Sequence, residues 1–219
     1  MKSTGNDIVA LKAIDILRTN LPAFYSKIIT LTEHELSRQP EFAGLPFEHF
    51  VWLLWSVKES VYKYLQRLDP GLVFSPTKII VQQLNAPANQ TMVMLPNTDW
   101  ESDDTGEDFY TGEVLYLTHH LHFRSKITAD FIASVVNATA DFKDVYWGIR
   151  SIDNPDSASQ SAQVRASALK KLKFVLSCDQ LLIDKTPEDI PVILKDGQPM
   201  DLPVSFAHHH HFVTYSFAN

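Results

Sequence analysis

Residues 46–71 constrain the fold more than any other stretch. Phe47, Phe50, Val51, Leu54, Val61, Leu65 and Leu68 recur at three- and four-residue steps behind Pro46, a residue suited to a first helical turn, and Asp69-Pro70-Gly71 ends the run. The spacing predicts a long amphipathic helix. Ser56, Glu59 and Lys63 fall together on one of its strips, bordered by Trp52 and Trp55. A second helical pattern covers 164–176, with Leu169, Leu172 and Leu176 in register and Lys170-Lys171 between them.

Between and after these helices the chain reads mainly as strands. Lys78-Ile79-Ile80-Val81-Gln82 is rich in β-branched residues, 113–124 and 127–137 read as two strands, and Val145-Tyr146-Trp147-Gly148-Ile149 is a further aromatic one. Residues 181–185, 192–195 and 204–217 continue the series, with a turn at Gly197-Gln198-Pro199. Residues 8–17 suit a strand or a short helix, and 21–36 read as helical. Residues 85–111, with two prolines and the acidic run from Asp99 to Asp104, read as a solvated loop, as does the Ser-, Asp- and Asn-rich stretch 153–161. Helices and strands mix without regular βαβ alternation, so the class is α+β. Each half carries a strand, a long helix and then strands, a loose echo that suggests two related lobes with a cleft between them.

At 219 residues and 45% hydrophobic content the chain is long enough to bury a sizeable core. Its 19 basic and 26 acidic residues give a formal charge of −7, which argues against a general nucleic-acid or anionic-membrane binder. Cys178 is the single cysteine, so neither an internal disulfide nor a cysteine-rich zinc site is available. The N-terminal stretch interleaves apolar residues with Asp7, Lys12 and Asp15, unlike a signal peptide, and the location expected is cytoplasmic.

The chemistry enters at WSVKESVYK, residues 55–63, where Glu59 and Lys63 project from one helix face a turn apart. A carboxylate can hold a divalent metal against a pyrophosphate, and an ammonium one turn on can neutralise oxygens that gain charge when a phosphodiester breaks. The same spacing is that of a common surface ion pair, and Trp52 and Trp55 suit a core as well as a nucleotide, so the pair acquires meaning only from its context.

That context is three further stretches: Ala13-Ile14-Asp15-Ile16, Lys195-Asp196-Gly197-Gln198-Pro199, and the run from Val204 through Ser205, Ala207 and four histidines, His208 to His211, to Tyr215. Together with WSVKESVYK they resemble the signature set of the 4′-phosphopantetheinyl transferase superfamily, whose recurring pieces are G-[IV]-D, W-[ST]-x-K-E-[SA]-x-x-K, G-[KR]-P and S-[IL]-S-H. The motif order resembles the short holo-acyl-carrier-protein synthase type, and the length resembles the long monomeric type.

The resemblance implies a two-lobed α+β fold, each lobe a small antiparallel sheet packed on a long helix, with lobes at about 1–140 and 141–219. It implies transfer of the 4′-phosphopantetheine group of coenzyme A to a serine of an apo acyl or peptidyl carrier protein, with magnesium required and a monomer sufficient. Carried over by position, Asp15 and Glu59 are the magnesium ligands, Lys63 meets the phosphate, and Ser205 and His208 hold the nucleotide end of coenzyme A. Glu59, or a water it orients, is the proton acceptor. Fatty-acid, polyketide and peptide synthesis all use such carriers.

The sequence departs from the pattern at Ala13, where the family has glycine, at Leu17, which leaves two rather than three acidic ligands, and at Ala207, which replaces a serine. Two rival readings follow. One is a non-catalytic relative that binds coenzyme A or carrier protein. The other is a histidine-dependent zinc or iron enzyme, motivated by His119, His120 and His122 together with His208 to His211. In a continuous strand His208 and His210 share one face and His209 and His211 the other, with His209 to His211 read as solvated or packing residues.

Overall fold

Strand β1 (Gly5–Ala10) opens the chain, followed by the short helices α1 (Ile16–Thr19), α2 (Pro22–Tyr25) and α3 (Leu31–Leu36) and the long helix α4 (Phe47–Gln66). Then come β2 (Ile80–Asn85), β3 (Trp100–Glu101), β4 (Tyr110–Tyr116), β5 (His119–Ile127), β6 (Phe131–Asn137) and β7 (Val145–Ser151). The second long helix α5 (Ser157–Leu176) precedes β8 (Leu181–Lys185), β9 (Pro191–Lys195), β10 (Gln198–Pro199), β11 (Val204–His209) and β12 (Phe212–Ala218). This is a computed structural model, and it describes residues 2–88, 100–101 and 109–219. Apart from Trp100 and Glu101, the acidic run from Asp99 to Asp104 lies outside the described residues.

The strands form three antiparallel sheets, ordered β1-β6-β5-β4-β2, β11-β12-β7-β3 and β10-β9-β8. Mixed helices and antiparallel sheets make the α+β class a fact. Helix α4 lays Val51, Leu54, Val57, Val61 and Leu65 on the first sheet against Val9, Val81, Phe123 and Ile132. Val164, Ala168 and Leu172 of α5 pack on Leu181, Ile193, Val213 and Tyr215. A third core lies where the two larger sheets meet, with Ile8, Phe131, Ala133, Trp147 and Ala207. The first half also supplies the second sheet with its outermost strand: β3 pairs with β7. The Glu101 carboxylate there is held by Arg150 and by Lys171 at 2.6 Å, and Tyr215 Oη donates to it at 3.3 Å.

Several boundaries differ from the sequence reading. Residues 113–124 are the two arms of a hairpin that turns at Leu117 and Thr118, and 204–217 are likewise two strands turning at His210 and His211. Leu117 and His210 sit at φ +53° and +54°, a left-handed conformation whose usual sequence markers, Gly and Asn, are missing at both turns. The turn at His210 means that no single strand carries His208 and His210 on one face. Residues 21–36 are two short helices, the second closed by a capping box in which Thr30 and Glu33 satisfy each other's backbone amides. The stretch 153–161 is a loop only to Asp156, whose carboxylate accepts from the amide of Ser159 and starts α5.

Odd residues of β1 face α4 and even residues face the second sheet, so the strand is buried on both sides. At Gly5 the approach is closest: a Cβ would stand 1.9 Å from the carbonyl oxygen of Ser60 and 2.7 Å from the amide nitrogen of Tyr64. Only glycine fits against helical backbone at that distance. Gly5→Ala is expected to lower unfolding stability by about 3 kcal/mol. A urea midpoint equal to that of the unsubstituted protein would count against this packing.

Candidate active site

Two residues beyond Gly5 on the same face of β1 stands Asp7. Its Oδ1 accepts from Lys63 Nζ at 3.1 Å, and the same ammonium donates to the carbonyl of Asn6 at 3.1 Å. Asp7 is 7% exposed, and its Oδ2 is buried without a hydrogen-bond partner. A buried carboxylate oxygen in that state is a ready acceptor for a cation or a proton. Glu59, one turn before Lys63, is partly buried. Desolvation first, and the charge of Asp7 second, push its pKa up to about 7, with Lys63 opposing. Two acids beside one ammonium have the donor set that magnesium takes from proteins: one or two carboxylate oxygens, with substrate phosphates completing the shell. Among the described residues no group of three or more His, Cys, Asp or Glu side chains converges as metal ligands.

Lys63 also borders a cavity of about 250 Å³, whose wall includes Arg67, Arg165, Lys185, Ser205 and His208. Its charge is dominated by cations, although Lys185 is paired with Asp189 at 2.6 Å. Arg67 donates to the carbonyls of Pro191 and Val204 at 2.7 and 2.6 Å, which ties the end of α4 to β9 and β11. Burial lowers its pKa and Asp201 opposes this. Ser205 is 5% exposed and its Oγ accepts the amide of Asn6 at 3.3 Å, leaving its own proton to donate elsewhere. His208 is exposed, and its pKa is lowered by partial desolvation and then by Lys63. A neutral imidazole at this mouth serves as a hydrogen-bond donor or acceptor rather than a fixed charge.

Of the five residues singled out from the sequence, the structure brings Lys63, Ser205 and His208 to one cavity and sets Glu59 a turn from Lys63. Asp15 makes its contacts elsewhere. It is exposed, its Oδ1 caps α1 by accepting from the amide of Arg18 at 2.9 Å, and the charges acting on Glu59 are those of Asp7 and Lys63. Its carbonyl accepts from Thr19 Oγ1, which in turn accepts from Trp52 Nε1 at 3.0 Å. Trp52 lies seven residues before Glu59, roughly 10 Å along the helix axis. Gly5-Asn6-Asp7 has a glycine two residues before an aspartate, and it is Asp7 that stands beside Lys63. The signal was present: a glycine two residues before an acid, then the apolar Ile8-Val9-Ala10 of a strand.

The reading also missed Lys58. Its ammonium is fully buried, 2.7 Å from Glu33 Oε2 and 2.8 Å from the carbonyl of Ile28. The other oxygen of Glu33 accepts the amide of Val81 at 2.8 Å. Ala207, which stands where the motif has a serine, packs in the core between the sheets.

A sequence model of the 4′-phosphopantetheinyl transferase superfamily matches residues 3–115, more than half of the chain, and the chain belongs to that family. The match includes Asp7, Asp15, Glu59 and Lys63 and stops before Ser205 and His208. The family's reaction class is phosphopantetheine transfer, from coenzyme A to carrier proteins. No curated protein and no solved structure matches the chain. No helix among the described residues is long and apolar enough to cross a membrane.

Proposed function

We propose that this chain transfers the 4′-phosphopantetheine group of coenzyme A to a serine of an apo carrier protein in a magnesium-dependent reaction of the holo-acyl-carrier-protein synthase type. One observation carries this reading: the unpartnered buried oxygen of Asp7 and the partly buried Glu59 stand with Lys63, whose side chain borders a cationic cavity. Asp7 and Glu59 take the metal roles. The bound ion would neutralise pyrophosphate oxygens of coenzyme A. Lys63 places a second positive charge where the departing 3′,5′-adenosine bisphosphate accumulates negative charge. Glu59, or a water that it orients, takes the proton of the carrier serine, whose oxygen bonds to the β-phosphorus as the bond from that phosphorus to the bridging oxygen breaks. Ser205 and His208 hold the nucleotide end, with Arg165 and Lys185 beside them.

The reading assigns residues 1–140 and 141–219 to two lobes whose cleft one chain completes, so a monomer suffices. An obligate trimer in analytical ultracentrifugation would contradict that arrangement.

Mass spectrometry of an apo carrier protein incubated with coenzyme A, magnesium and the enzyme should show one added phosphopantetheine. An unchanged mass across fatty-acid, polyketide and peptide carriers would leave a binding protein instead. Asp7→Asn is expected to slow transfer at least ~100-fold. Asp15→Asn, which keeps an N-cap acceptor, should retain the full rate. The reverse ranking would restore Asp15 to the metal site.

A further inference from the structure

Strand β1 is the edge of its sheet, bonded to β6 on one side only, yet all six of its residues are buried. Its free edge faces β11, and no backbone ladder joins the two strands. Side chains of β11 take up two of the outward amides instead. Asn6 N–H donates to Ser205 Oγ at 3.3 Å, and Ala10 N–H donates to His209 Nδ1 at 2.8 Å. The partners are four residues apart on both strands, so the two bonds form a matched pair along strands running the same way. The next strand adds Thr214 Oγ1, which accepts from Asn6 Nδ2 at 3.1 Å, and Ser216 Oγ, 2.9 Å from Thr4 Oγ1.

Buried backbone N–H groups are almost always paired, so an edge strand enclosed in this way requires acceptors from its neighbour. Ser205 pins the start of β1 and His209 pins its end. Asp7 lies between the two pins.

We infer that His209 is a positioning residue of the active site: by accepting the Ala10 amide on Nδ1 it fixes β1, and with it Asp7, against the strand that carries Ser205 and His208. The acceptor role requires a lone pair on Nδ1, hence a neutral ring with its proton on Nε2. Burial supports this by lowering the His209 pKa, with His208 and His210 acting in the same direction and Asp7 against them. The role is specific to His209 within the histidine run: His211 Nδ1 instead meets the carbonyl of Ile152 at 3.0 Å, and His210 makes the hairpin turn. Its consequence for catalysis rests on the proposed function, whereas the strand contact itself does not.

The test compares the unsubstituted protein with His209→Ala and His209→Asn, since the Asn side-chain oxygen can stand where Nδ1 does. Amide exchange read by NMR should accelerate at least ~10-fold at Ala10 in His209→Ala and return towards the original rate in His209→Asn. In the transfer assay, the magnesium concentration giving half-maximal rate should rise ~10-fold in His209→Ala and recover in His209→Asn. Unaltered exchange at Ala10 in His209→Ala overturns the inference, and so does equal loss of magnesium response in both variants. Should His209→Ala fail to fold, the ring nitrogens of the unsubstituted protein decide. A bare Nδ1 coupled to the Ala10 amide supports the inference, and a proton on Nδ1 overturns it. If the exchange pattern appears but the unsubstituted protein transfers nothing, the strand contact stands and the transferase reading falls.

Discussion

Replacing Glu59 by glutamine is expected to raise the stability of the metal-free protein at pH 8 by about 1–2 kcal/mol while reducing transfer by orders of magnitude. The sign follows from the direction of the shift. Burial and the neighbouring Asp7 raise Glu59 from its ordinary 4.5 to about 7 in the folded protein, so between those values the unfolded chain releases a proton that the folded one retains. Stability contributed by the protonated acid is complete below pH ~4.5 and is lost as the pH rises through 7. Taken whole, the shift corresponds to about 3 kcal/mol, and solvent at this partly exposed group reduces it.

Glutamine keeps the shape and never charges. Urea unfolding with a chelator should therefore show the variant ahead at pH 8 and close to the original at pH 5. Magnesium should reverse the order at pH 8 by stabilising only the protein that binds it. An equal difference at both pH values would remove the electrostatic account of this pair.

The second large effect concerns Lys58, the neighbour of Glu59 on α4. Lys58→Met should destabilise the fold by about 3–5 kcal/mol, because it leaves the Glu33 carboxylate buried without its counter-ion. Burial lowers the Lys58 pKa and the charge of Glu33 opposes this, so the ammonium depends on that one acid. Adding Glu33→Gln to Lys58→Met should recover part of the loss, with a coupling of about 2 kcal/mol in a double-mutant cycle. Recovery is incomplete because Glu33 also accepts the amides of Thr30 and Val81, and an amide side chain cannot accept at both ends. Strict additivity would show that the two residues do not act as a pair. The ion pair fastens α3 and β2 to the middle of α4, so it also governs how Glu59 is presented on the adjacent face.

The long helices and most strands were legible because their apolar residues follow a period. The helix strip that carries Glu59 and Lys63 was legible for the same reason. What escaped the sequence has physical causes. The two hairpins were read as continuous strands because Leu117 and His210 adopt left-handed backbone without a glycine or asparagine to announce it. Asp15 was read from Ala13-Ile14-Asp15, whereas the place of Asp7 beside Lys63 depends on packing between a strand and a helix distant in sequence. Glycine's role at position 5 depends on the closeness of a helix that is distant in sequence. Lys58 and Glu33 look like ordinary surface residues in one dimension and meet only in the folded interior.

The pairing of β3 with β7 has a further consequence. Trp100 and Glu101 come from the first half of the chain, yet Trp100 stacks edge-on against Trp147 at 5.0 Å and Glu101 gathers Arg150 and Lys171 of the second half. A polypeptide severed after residue 140 would leave the C-terminal piece with an uncovered β-edge and without the carboxylate that Arg150 and Lys171 share. Separately made fragments would have to find each other to become soluble, and gene fusion or shuffling at that junction would have to carry the crossing strand along.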